Sequence, residues 1–290
     1  TIGSQAQYRL TTESFEITPQ PAWIESDIKA EVVRDGQLTE LSALDPDLIS
    51  RVVQAFELNT WVAKVVWAGK RAGPEGPRII VKLQYRRPIV WVRTYDERWP
   101  DGDCFYPIDT DGVFLPPDEF SASQIRDFLR VDAGNVSPVG GVGAPYGDPG
   151  VTGAAEIATK IGPDWKSLGL QWIVVRKTMP VEVGQPMDLT YVLLPLGGDP
   201  DAIPKRSDRA QAPGDGSSPS SPEIYWGHAP GHEGPGEATA TQKVARLRMY
   251  VEQNGPLDRL AASTIVDLRH GAAISVRSRK SRYQPASTHP

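Results

Sequence analysis

The stretch "RIIVKLQYRRP", residues 78 to 88, constrains the fold more than any other. Side chains of a strand alternate between its two faces. Ile79, Val81, Leu83 and Tyr85 therefore share one face, and Lys82, Gln84 and Arg86 share the other. Pro88 ends the run, because proline has no N–H to give to a continuing ladder. A half-buried strand that stops at Pro88 needs a sheet beside it and helices over its apolar face.

The preceding residues supply both. "YRLTTESFEIT" (8–18) alternates around Phe15 and Ile17 as a short strand, and "ESDIKAEVVR" reads as a helix. "LDPDLISRVVQAF" reads as a second helix, with Asp45 as its cap, Pro46 in the first position, and Leu44, Leu48, Val52 and Phe56 as a stripe. "WVAKVVWAG" then leads through "AGPEGP" into the strand at 78. The order strand, helix, helix, strand, strand describes a small α+β domain with helices on one face of a three-stranded sheet.

With 290 residues, the chain has room for a second core. Beyond Pro88 the pattern is mostly strand: "IVWVRTY", "CFYPID", "GVFLP", "LQWIVVRK", "DLTYVLLPL" and "EIYWGH", ending in "STIVDLR" and "AAISVRS". A Gly/Pro-rich loop spans 134–153. One helix opens on Thr152 and another spans Glu237 to Asn254, with Ala240, Val244, Leu247 and Val251 as its stripe. Residues 197–222 offer almost nothing to bury and read as a disordered insertion. The fold class expected is α+β, with a small βααββ domain over 8–88, a larger, mostly antiparallel β domain with two or three helices over 89–277, and an unstructured basic tail over 278–290.

Candidate chemistry is sparse. The net charge of −5 gives no argument for nucleic acid, and the single cysteine, Cys104, excludes an internal disulfide or a multi-cysteine metal site. Cys104 lies between apolar neighbours without a nucleophile signature and reads as a small buried hydrophobe. "GGVGAPYG" lacks the spacing and surrounding βαβ unit of a dinucleotide loop, and "RSRKSR" (277–282) reads as a solvated end. Asp109, Asp111 and Gly112 in "YPIDTDGVFLP" have the look of a calcium loop, yet Pro107 stands where the first ligand belongs. Asp-Gly between two strands is a hairpin signal, and a structural turn is the expectation. "HAPGHEGPGE" sets His228 and His232 four apart with Glu233 behind them, the raw material of a metal-dependent hydrolase. Pro230 and Gly231 break the helix such a site needs, so a solvated loop is expected. No metal or other cofactor is expected, and a non-catalytic binding role leads.

Three segments, in order, resemble the extracytoplasmic part of the FtsQ/DivIB-type bacterial cell division proteins. They are the βααββ module ending in "VKLQYRRPIVWV", which resembles a POTRA domain; "YPIDTDGVFLP"; and a helix containing Lys243 followed by "TIVDLRHGAAISV". The resemblance spans Tyr8 to Val276. It implies a non-catalytic divisome scaffold at the bacterial inner membrane, with its bulk periplasmic and a transmembrane helix upstream of Thr1. Its β domain would bind FtsB/FtsL-type partners at the terminal edge strand, Ala272 to Val276, through His270, Gly271, Ala272, Ala273 and Ile274. Its POTRA-like domain would meet other membrane-anchored divisome proteins. Asp267 and Arg269 read as a strand-face salt bridge. The alternative is a POTRA-containing secretion or outer-membrane assembly module.

Overall fold

The protein is described here from a computed structural model, over residues 8–73, 76–95, 103–178, 187–203, 206–207, 221–270 and 274–278. It is an α+β chain with two sheets that divides into two compact units. The first unit runs to Pro88 and also takes in Leu115–Ser121 and Gly141–Ala144; the remainder forms the second.

In the first unit, β1 (Phe15–Ile17), α1 (Ile28–Asp35), α2 (Leu48–Glu57), β2 (Val62–Gly73) and β3 (Gly76–Tyr85) follow one another. β3 is central, parallel to β1 and antiparallel to β2. Ile79, Val81 and Leu83 are buried against Ile28, Val32 and Val33 of α1 and Leu48, Val52 and Phe56 of α2. α1 opens where the Asp27 carboxylate accepts the Ala30 N–H at 3.0 Å. α2 starts later than its sequence announces, with Asp47 as its cap. The Asp45 carboxylate accepts the Asp47 N–H at 2.8 Å, so this residue closes a turn before the helix, and Leu44 is left exposed. The Glu119 carboxylate accepts the indole N–H of buried Trp61 at 2.7 Å and the Glu25 N–H at 2.8 Å.

The second unit contains β4 (Val90–Tyr95), β5 (Asp103–Ile108), α3 (Ala122–Ile125), β6 (Leu129–Asp132), α4 (Pro149–Ile161), β7 (Leu170–Thr178), β8 (Asp188–Pro195), β9 (Arg206–Ser207), β10 (Glu223–Gly227), α5 (Ala240–Asn254), β11 (Thr264–Asp267) and β12 (Ser275–Ser278). Its sheet runs β12-β11-β10-β8-β7-β6-β4-β5, with β9 alongside β7. The sheet is mixed, which corrects the expectation of a mostly antiparallel one. Among the described residues β4–β6, β6–β7, β7–β9 and β10–β11 pair in parallel. The reason lies in the connections: a parallel pair needs a long crossover. α4 lies in the connection from β6 to β7, and α5 in that from β10 to β11.

α4 begins at Pro149, three residues before Thr152, because the Asp148 carboxylate accepts the Val151 N–H at 3.0 Å and caps it. α5 begins at Ala240, capped by Thr239 and Gln242, so residues 237–239 precede the helix. The main core gathers Val151, Ala155 and Ala158 of α4, Val244 and Leu247 of α5, and Ile173, Leu193, Trp226 and Val266 of the sheet. The expected disordered insertion does not hold at its two ends. Pro200 and Ile203 are buried, as is Ser221, and the Asp199 carboxylate holds the Asp201 N–H at 2.9 Å. Residues 204–205 and 208–220 of that call, and the tail from 279, lie outside the described residues.

Candidate functional site

The terminal hairpin is the first candidate. β11 pairs in parallel with β10 and antiparallel with β12, and among the described residues β12 ends the sheet. All four β12 residues are exposed. The edge strand is described over Ser275–Ser278; of the expected Ala272 to Val276, Ser275 and Val276 lie in it, Ile274 precedes it, and 272–273 lie outside the described residues. Of the five predicted partner-facing residues, Gly271, Ala272 and Ala273 lie outside the described residues. Ile274 is partly buried against the main core, so its side chain helps seat the strand. His270 is exposed and forms an antiparallel bridge with Glu237. Asp267 and Arg269 form a two-pronged ion pair at 2.9 and 2.7 Å, and the guanidinium lies 5.2 Å from the Tyr225 ring centre. That hydrogen-bonded pairing raises Arg269 above its ordinary range despite burial.

The loop from His228 to Glu237 departs most from its sequence reading. It is built around a buried carboxylate, not spread in solvent. The Glu237 side chain is 2% exposed and Lys243 is fully buried, with Nζ 2.6 Å from Oε1. Oε1 also accepts the His228 N–H at 2.9 Å, and Oε2 accepts the Gly234 N–H at 3.0 Å and meets His228 Nδ1 at 2.5 Å. The other ring nitrogen of His228 lies 2.9 Å from Asp188. Lys243 Nζ is also 5.1 Å from the Trp226 ring centre. Gly227 passes so close that any Cβ would strike the Glu237 carboxylate, and its φ of +91° already favours glycine.

These contacts set the charges. Burial pushes the Glu237 carboxyl up, but the hydrogen bonds from Lys243, Gly234 and His228 outweigh it and hold the group at about 2. Burial draws His228 down, and its bonds to Glu237 and Asp188 more than restore it, leaving it above its ordinary value. Burial lowers Lys243, only partly countered by Glu237. The cluster joins the loop to α5. It also joins the loop to the terminal hairpin, since Ala238 N–H donates to the Arg269 carbonyl at 2.7 Å next to the Glu237–His270 bridge.

The hydrolase residues do not assemble. Glu233 accepts the N–H groups of Gly231 and Ala240 at 2.8 and 3.0 Å, tying down the start of α5, and His232 is exposed. Among the described residues no three His, Cys, Asp or Glu side chains gather as metal ligands. The residues that sequence reasoning missed are Glu237 and Lys243 as a buried pair. The signal was present: Lys243 interrupts the apolar stripe of Ala240, Val244 and Leu247, and a buried cation needs a partner.

Asp109, Asp111 and Gly112 form a tight turn. The Asp109 carbonyl accepts the Gly112 N–H at 3.1 Å, and its carboxylate accepts the N–H groups of Asp111 and Val113, each at 2.9 Å. Gly112 has φ +75°, and Ile108 bridges to Phe114 across the turn. Asp109 is 2% exposed. Cys104 is buried, and no described helix is long and apolar enough to cross a membrane. Neither a protein-family model nor a curated protein matches the chain.

Proposed function

We propose that this chain is the extracytoplasmic part of an FtsQ/DivIB-type division scaffold, and that it binds FtsB/FtsL-type partners by adding their strand to the terminal edge of its second sheet. The observation that carries the reading is the edge itself: among the described residues β12 closes the sheet, pairs with β11, and is exposed along its whole length. An edge strand offers a row of backbone N–H and C=O groups to an incoming strand. The Asp267–Arg269 pair and the Glu237–His270 bridge fix the end of β11, the strand that β12 pairs with, and tie it to the buried cluster around Glu237. The βααββ element order of the first unit, with β3 between β1 and β2, supports a POTRA-like reading of that unit. In this proposal the protein is non-catalytic, sits periplasmically, and is anchored by a helix upstream of Thr1. Its first unit meets other membrane-anchored division proteins.

Proline substitution tests the edge. Successive residues of an antiparallel strand direct their N–H groups to opposite sides. Pro at one of Val276 and Arg277 therefore removes an outward donor, while Pro at the other breaks the ladder to β11. Ala273→Pro extends the scan to the predicted contact segment. Binding of an FtsB/FtsL-type peptide should fall at least tenfold for the outward substitution, in a protein whose circular dichroism is unchanged. Undiminished binding in all three variants contradicts the proposal.

A further inference from the structure

The three-stranded sheet of the first unit carries α1 and α2 on one face, over buried Ile79, Val81 and Leu83. Its other face is turned to solvent. Register sets Trp67 beside Lys82, Gly69 beside Ile80 and Arg71 beside Arg78 there. Lys64 lies on the same face, and β1 adds Glu16 next to Ile80. Four cations therefore share the face with one carboxylate, in a chain whose net charge is −5. Lys64, Arg71 and Lys82 are exposed, and Arg78 is partly buried. Lys70 is not among them: it lies on the helix side, where the carbonyls of Ala43 and Asp45 accept from its Nζ at 2.9 and 2.8 Å.

Apolar side chains stand among these charges. Trp67 is 53% exposed and Val66 61%. A Cβ on Gly69 would come within 2.6 Å of the Trp67 ring, so the ring lies along the sheet over Gly69 and leaves its other side to solvent. β2 ends its sheet among the described residues, yet register shifts before Lys64 and before Trp67 mark bulges in its ladder. Bulges and lysines on an edge oppose the addition of a strand. What β2 offers is its face and not its edge.

We propose that this face lies against a membrane surface of anionic phospholipid. Lysine and arginine lay their stems along apolar surface while their charged ends reach outward, and each cation near an anionic bilayer strengthens binding about fivefold. Tryptophan settles at headgroup depth, so a ring lying along the sheet is covered without deep insertion. At ordinary strand rise Lys64 and Arg71 stand about 20 Å apart along β2. A continuous charged surface spans that distance at once. A nucleic-acid strand fits less well, because it calls for successive stacking platforms, and the ring over Gly69 supplies a single one. The inference rests on this face alone and needs neither the terminal edge nor a division partner.

The test sediments the whole chain with vesicles of phosphatidylcholine and phosphatidylglycerol in equal parts, and with vesicles of phosphatidylcholine alone. Labelled oligothymidylate and labelled polyglutamate are titrated in parallel. The protein should bind the mixed vesicles, bind the neutral ones at least tenfold more weakly, and leave the mixed ones as salt rises. Neither soluble polyanion should bind comparably. Lys64→Gln together with Lys82→Gln should weaken vesicle binding roughly twentyfold, since the two effects multiply. Lys160→Gln together with Lys166→Gln removes the same charge from exposed positions of the second unit and should leave binding unchanged. Trp67→Ser should weaken binding several-fold without altering its salt dependence. Equal binding to both kinds of vesicle, comparable binding of either polyanion, equal losses in the two double variants, or unchanged binding by Trp67→Ser would overturn the proposal.

Discussion

At the scale of single residues, one buried ion pair ties the loop before α5 to that helix. Lys243 and Glu237 are both out of water, and the cost of desolvating them is offset by their mutual bond at 2.6 Å and by the backbone donors around Glu237. Removing one partner strands the other. Lys243→Met should therefore lower unfolding free energy by about 3–5 kcal/mol in chemical denaturation, and adding Glu237→Gln should recover part of that loss. His228 gives a second prediction, with a definite sign. Its folded value lies above the ordinary 6.5, so the stability it adds is fully present below 6.5 and is lost as pH rises through the raised value. The melting temperature should fall across that window, and His228→Gln should flatten the fall. Glu237 acts in the opposite sense and far lower: its contribution fades only as pH drops toward about 2. These roles were half legible. A lysine in the stripe of α5 announces a buried charge, but only the folded chain shows that the partner is Glu237 and not Glu233.

At the scale of elements, legibility followed the strength of each local signal. β3 is fixed by four alternating apolar residues and a terminal proline, and it buries Ile79, Val81 and Leu83 as that pattern requires. The Asp109–Gly112 turn was equally plain, because Asp-Gly between strands has few other solutions. Helix starts were less so. At α2 the Asp-Pro-Asp sequence offers two acidic caps, and the turn closed by Asp45 moves the start to Leu48. β6 is four residues long and has too little alternation to announce itself, yet it pairs in parallel with both neighbours and makes the sheet mixed. The uninterrupted apolar runs in β7 and β8 were a signal left unused. Such runs belong to strands buried on both faces, and Trp172, Ile173, Val174 and Val175 are all buried.

At the scale of the whole molecule, each of the two units has a main core of its own. The first unit draws Leu115 and Glu119 from a segment that follows β5 in sequence, a long-range closure that no local pattern encodes. Among the described residues the second unit's sheet ends on β12, which is exposed along its length, and the Glu237–His270 bridge links the chain just past β11 to the charge cluster. In the function proposed above, this edge receives a partner strand. Hydrogen exchange of the whole chain, with and without an FtsB/FtsL-type peptide, tests it most directly. Outward-facing amides of Ser275–Ser278 should slow markedly when the peptide is added, while the amides of β1 and β2 should not. Saturating peptide with unchanged exchange in β12 would contradict it.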